Sequence, residues 1–121
     1  VGVHPHDAKH FTGTTIEEIR EILSDPMAVA VGECGLDYNR NFSSKDDQIE
    51  AFRAQVSLAC ELQLPMFVHE REAHQDLLLV LDEFTVKPKI VVHCFTGTKD
   101  EALEYIKRHI INVHINKLTS N

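Results

Sequence analysis

The stretch Ala28 to Arg40, AVAVGECGLDYNR, decides how this chain folds. Ala28, Val29, Ala30 and Val31 form an unbroken run of small apolar residues, the pattern of a parallel strand covered on both faces. Two glycines then bracket Glu33, and Asp37 follows four residues on. This reading puts Glu33 and Asp37 just past the C-terminal end of a strand, where α/β sheets and barrels keep their chemistry. Working outward, Pro65 to His69 (PMFVH) and Lys89 to His93 (KIVVH) are two more apolar runs, each ending in a histidine. Three successive strand ends carrying Glu33, His69 and His93 point to a metal site.

The chain has 121 residues, of which 43% are hydrophobic and 26% charged. That is enough for one core, but about half of the roughly 250 residues of a closed eight-stranded barrel. No apolar run approaches the roughly 20 residues of a membrane span. The start, Val-Gly-Val-His, has neither an initiator Met nor a signal pattern and reads as the end of a strand. The chain is therefore expected to be part of a larger polypeptide. A net charge of −7, from 19 acids and 12 bases, argues against a general polyanion binder. A metal-dependent phosphodiesterase partly escapes that objection, because some of its acids hold cations. Cys34, Cys60 and Cys94 show no CxxC spacing, which fits reduced thiols in a cytoplasmic or nuclear protein. A catalytic cysteine, at Cys34 or Cys94, is the sharper alternative.

A βα rhythm runs through the rest. His4-Pro5-His6 puts two imidazoles on one side of an extended segment, suiting a metal, a substrate or an ordinary polar loop. Thr14 and Thr15, with Glu17 and Glu18, predict a capping box ahead of an Ile16/Ile19/Leu23 stripe, and Ser24-Asp25-Pro26 ends that helix. Ser44 with Asp47 predicts the cap of a helix to about Leu62, its stripe made by Ile49, Phe52, Val56, Ala59 and Cys60. His69 to His74 resembles a zinc-protease HExxH, but its second His falls one position late and His69 ends a strand, so that motif is rejected. Leu77 to Phe84 reads as a helix closed by Lys87-Pro88. Thr98 with Glu101 caps another, with Ala102, Leu103 and Ile106 inward. Arg108 to Asn116 reads as a strand leading into a polar tail.

Glu33, His69 and His93 are 36 and 24 residues apart, the length of single βα units that set strand ends side by side. Imidazoles with a carboxylate suit Zn, Mn, Co or Fe, and a bridging Glu between histidines also suits a two-metal arrangement. Arg40 and Arg71 lie just beyond strand ends, where a guanidinium grips phosphate bidentately or simply faces solvent. His74 reads as a substrate contact or a helix cap. Asp37 reads as an orienting partner for a ligand or as a turn cap.

The segments VGVHPHD, AVGECGLDYNRNFS, LPMFVHEREAH and VVHCFTGT, in this order and spacing, resemble the TatD family of metal-dependent deoxyribonucleases. The likeness covers about Val1 to Tyr105, and residues 106–121 diverge from it. It implies a partial TIM (β/α)8 barrel of about four parallel strands with intervening helices, forming one segment over residues 1–121. It implies hydrolysis of DNA phosphodiesters by metal-activated water, as a 3′-to-5′ exonuclease on single-stranded DNA, with one or two divalent ions, Mg or Mn ahead of Zn. By resemblance Glu33 is a metal ligand and the catalytic carboxylate, and His69 and His93 are the later ligands. His4, His6 and His74, with Arg40 and Arg71, fall near substrate phosphates. The position of Glu70 is Cys or Ser in many relatives. Neither the family's N-terminal HxH strand nor its later Glu-Thr-Asp segment occurs within these residues. A truncated product that binds metal or a partner without turnover is one alternative, and an amidohydrolase-like small-molecule hydrolase is another.

Overall fold

A computed structural model describes residues 1–112. Its core is a four-stranded parallel sheet, β1 (Val31–Asp37), β2 (Met66–Arg71), β3 (Ile90–His93) and β4 (Ile111–Asn112), in that spatial order. The connections are helical: α1 (Thr15–Leu23) precedes β1, and α2 (Lys45–Leu62), α3 (His74–Asp82) and α4 (Lys99–Lys107) follow β1, β2 and β3. Successive strands thus sit side by side, the βα order of a barrel wall. The expected strand beginning at Arg108 starts at Ile111, and its continuation lies outside the described residues.

The first strand differs from expectation. Val29 is 71% exposed, and β1 begins only at Val31, running through GECGLD to Asp37. Glu33 therefore lies inside the strand, and Asp37 is its last residue. The glycines that look like a turn in sequence serve close strand contact instead. Gly32 and Gly35 have φ of 143° and 141°, and a Cβ on Gly35 would collide with the His69 carbonyl oxygen. The pairing steps from Gly32–Phe67 to Cys34–Val68, so Glu33 is an extra residue at a bulge, and the Gly32–Glu33 peptide is cis. Val1 runs alongside: its amino group donates to Ala30 O and its carbonyl accepts from Gly32 N–H, though residues 1–3 make no regular strand.

One face of the sheet is packed and the other carries polar groups, so the strands are not covered on both faces by described residues. Met66, Val68, Ile90, Val92, Cys34 and Leu36 are buried in a common core with Phe52, Val56, Ala59, Leu77, Val80 and Leu81 from the helices. Alternation sends Phe67, His69, Val91 and His93 to the opposite face, where Phe67 is 40% exposed.

Two buried glutamines inside α2 were not expected there. Gln55 accepts the Val3 N–H (2.8 Å) and donates to Val3 O (3.3 Å), pinning the segment ahead of His4. Gln48 accepts the Asp37 N–H (2.8 Å) and donates to Asp37 O and Ser43 O, pinning the end of β1.

Helix ends follow the sequence in part. Ser44 caps α2, and Thr98 with Glu101 forms a full capping box on α4. No capping box forms at α1, because Thr14 is itself helical and Thr15 Oγ1 accepts from the Thr12 N–H. The third helix begins at His74, three residues before the expected start. On α4, Ala102 and Tyr105 are buried, whereas Leu103 and Ile106 face outward.

Candidate metal centre

The polar face of the sheet and the segment ahead of α1 bring six predicted site residues together: His4 and His6 from that segment, Glu33 and His69 from within β1 and β2, and Asp37 and His93 from the ends of β1 and β3. Register places His69 beside both Gly35 and His93, and the bare Gly35 backbone lets β1 lie close against the His69 backbone. Glu33 Oε2 is the focus. His69 Nδ1 lies 3.1 Å from it, His4 Nε2 lies 3.5 Å away, and His93 Nε2 is in direct contact. Asp37 Oδ2 forms a second focus, 2.8 Å from His69 Nε2 and 3.1 Å from His6 Nε2. The Asp37 Oδ1 atom accepts the backbone N–H groups of Asn39 and Arg40.

These contacts assign ring protons. Asp37, acceptor on both oxygens, takes the His69 Nε2–H, which leaves the Nδ1 lone pair facing the Glu33 carboxylate. Two acceptors so close need a positive charge between them, either a proton or a cation. That donor set, an imidazole nitrogen from each of His69 and His93 beside a carboxylate, fits a divalent ion. His4 Nδ1 accepts the His6 N–H at 3.1 Å, which leaves Nε2 facing Glu33 Oε2 at 3.5 Å. His4, Glu33 and His69 each offer a ligand atom within 4.8 Å of the others.

The electrostatics agree. Burial pushes the Asp37 carboxyl up, but the Arg40 N–H and the His69 and His6 rings outweigh it and hold the group below its ordinary value. Burial, reinforced by His69, lowers His4 and keeps it neutral against the pull of Glu33. Cys34 is fully buried and its thiol is pushed up to about 12, which makes it a core residue and removes it as a nucleophile.

The remaining predicted residues lie around this cluster. Arg71 follows His69 by two residues on β2 and so belongs to the same face; its Nε is buried with no hydrogen-bond partner among the described residues. Arg40 is exposed and touches the site through its backbone. The imidazole of His74 is set apart: it packs edge-on against Tyr105 (4.8 Å), lies 3.8 Å from Glu70 Oε1, and lines a cleft with Tyr38, Glu72, Asp76 and Glu101. Glu70, on the packed face, accepts a 2.5 Å hydrogen bond from the Tyr105 hydroxyl.

Three contributors escaped the sequence reading. Phe67 stacks on His93 with ring centroids 4.3 Å apart and planes 7° from parallel. It precedes His69 by two residues, so strand alternation was the signal for it. Phe42 meets His6 edge-on at 4.9 Å. Gln48 holds the Asp37 backbone from within a helix stripe, where no local pattern marks it.

A parallel α/β wall carrying an acid–histidine cluster toward the C-terminal side of its strands defines the class: a segment of a β/α barrel with a donor set that fits a divalent ion. The family model for TatD related DNase matches residues 1–117, and the chain belongs to that family. It is 46% identical over 110 residues to the 3′-5′ ssDNA/RNA exonuclease TatD of Escherichia fergusonii, covering 90% of this chain and 42% of that protein. The crystal structure of a TatD family hydrolase from Entamoeba histolytica superposes with a TM-score of 0.80 at 31% identity, covering 93% of this chain and 39% of that one. The TatD homologue YJJV of Escherichia coli K12 superposes with a TM-score of 0.82 at 28% identity, over 93% of this chain and 44% of that one. The chain thus spans less than half the length of the relatives it matches, and its fold is a partial barrel.

Proposed function

We propose that this chain carries part of the active centre of a metal-dependent deoxyribonuclease, a 3′-to-5′ exonuclease on single-stranded DNA. The observation that supports it most is the convergence of His69 and His93 on one oxygen of Glu33. Family membership and the exonuclease named among the relatives supply the substrate class. Residues 1–121 are read as one barrel segment.

Glu33, His69 and His93 would hold a divalent ion, Mg or Mn ahead of Zn, and one or two ions could be accommodated. A divalent ion supplies the positive charge that activates water and neutralises phosphate oxygens. Asp37 fixes the His69 ring by taking its Nε2–H, and His4 Nε2 faces the Glu33 carboxylate at 3.5 Å. Among the expected phosphate contacts, Arg71 has the strongest support, because its buried Nε is left to be satisfied by a ligand. Arg40, His6 and His74 are further contacts; the acidic lining around His74 gives that one the least support. No helix among the described residues is long and apolar enough to cross a membrane. A cytoplasmic or nuclear location is supported by three free thiols.

The test is digestion of end-labelled single-stranded DNA with Mg2+ or Mn2+, beside Glu33→Ala. Stepwise shortening from the 3′ end that disappears in the variant is the expected result. No cleavage by the folded chain would deny activity to this polypeptide, and equal cleavage by both proteins would deny the role of Glu33.

A further inference from the structure

The nuclease reading leaves Cys94 unused. It follows His93 directly, yet its backbone adopts φ of 57°, a left-handed turn uncommon for a side chain other than Gly, Asn or Asp. The turn brings its sulfur back toward the strand ends. One donor atom from each of His69, His93 and Cys94 lies within 4.8 Å of the others. Cys94 is half-buried and free of any disulfide.

We propose that His69, His93 and Cys94 form a second coordination set, selective for thiophilic divalent cations such as Zn2+ or Cd2+. The chemistry separates it from the carboxylate set. A thiolate with two imidazoles is the soft-to-borderline combination that Zn2+ prefers, whereas Mg2+ and Mn2+ favour oxygen. As the sulfur–metal bond forms, the thiol proton leaves to solvent, with no change of oxidation state; a hard ion gains too little from sulfur to drive this. The two sets share His69 and His93, so a cation held with Cys94 draws both imidazoles away from Glu33. Zn2+ is thereby an inhibitor of the Mg2+- or Mn2+-supported reaction, acting by seizing shared ligands.

This inference rests on His69 and His93 being cation ligands, and the experiment separates the two claims. Co2+ is titrated into the 121-residue chain and its absorption recorded for wild type, Cys94→Ser, Cys94→Asn and Cys60→Ser. Asn suits the left-handed backbone, so one thiol-free variant keeps the turn; circular dichroism confirms folding of each. The expected result is a near-ultraviolet thiolate-to-cobalt charge-transfer band in wild type and Cys60→Ser. That band is lost in both Cys94 variants, while the visible ligand-field bands from the histidines persist. Visible bands without the charge-transfer band in wild type, or a charge-transfer band surviving in the Cys94 variants, would overturn the thiolate set alone. Absence of every cobalt band would overturn both it and the histidine ligation beneath it.

Discussion

Asp37 Oδ2 lies 2.8 Å from His69 Nε2, and this one hydrogen bond decides what the other face of the imidazole can do. With its Nε2 proton committed to Asp37, His69 presents an Nδ1 lone pair toward Glu33. A carboxylate that orients a ligand histidine raises its basicity and holds its plane, and such partners are commonly worth 10- to 100-fold in metal affinity.

Asp37→Asn should therefore weaken Mn2+ binding by roughly 10- to 100-fold. The amide retains its shape and its carbonyl still accepts, but it no longer stabilises the His69 tautomer by charge. Isothermal titration of the chain with Mn2+ checks it; an unchanged affinity would show that Asp37 serves only the turn, through the N–H groups of Asn39 and Arg40.

Gln48→Leu should destabilise the fold by roughly 1–3 kcal/mol, because a buried N–H and two carbonyl oxygens lose their partner while volume is nearly kept. Urea unfolding measures this directly. Since the lost bonds hold the Asp37 backbone, the variant should also bind Mn2+ more weakly, a loss that a defect confined to helix α2 would not produce.

Gly35→Ala should cost about 2 kcal/mol or more, combining a backbone conformation closed to L-side chains with a Cβ placed against the His69 carbonyl. The measurement is again the unfolding midpoint. A variant as stable as wild type would mean that β1 and β2 do not approach as described.

Much of this was readable in the residues. His93 ends β3 as its sequence suggests, and the 24-residue step from His69 fits one βα unit, but β2 runs past His69 to Arg71, so His69 lies inside its strand. Glu33 was found as a site residue but misplaced in the fold. Its flanking glycines looked like a turn, whereas their positive φ values serve a bulged strand lying tight against β2. That distinction depends on what lies next to the glycines, which local sequence does not encode. The same holds for Gln48 and Gln55, polar residues in a helix that are buried only because the β1 end and the HPH segment bring backbone groups to them. Strand alternation did carry unused information: it separates Phe67, His69 and Arg71 from Glu70, and so sends Glu70 to the Tyr105 side.

Whether Glu33 and its histidines form a cation site is read from Mn2+ binding by wild type and Glu33→Gln. Gln keeps the side chain's size and removes its charge. Saturable Mn2+ binding by the wild-type chain is expected, lost or weakened at least about tenfold in the variant, with folding unchanged by circular dichroism. Equal binding by the two proteins, or none by a folded wild-type chain, would contradict it.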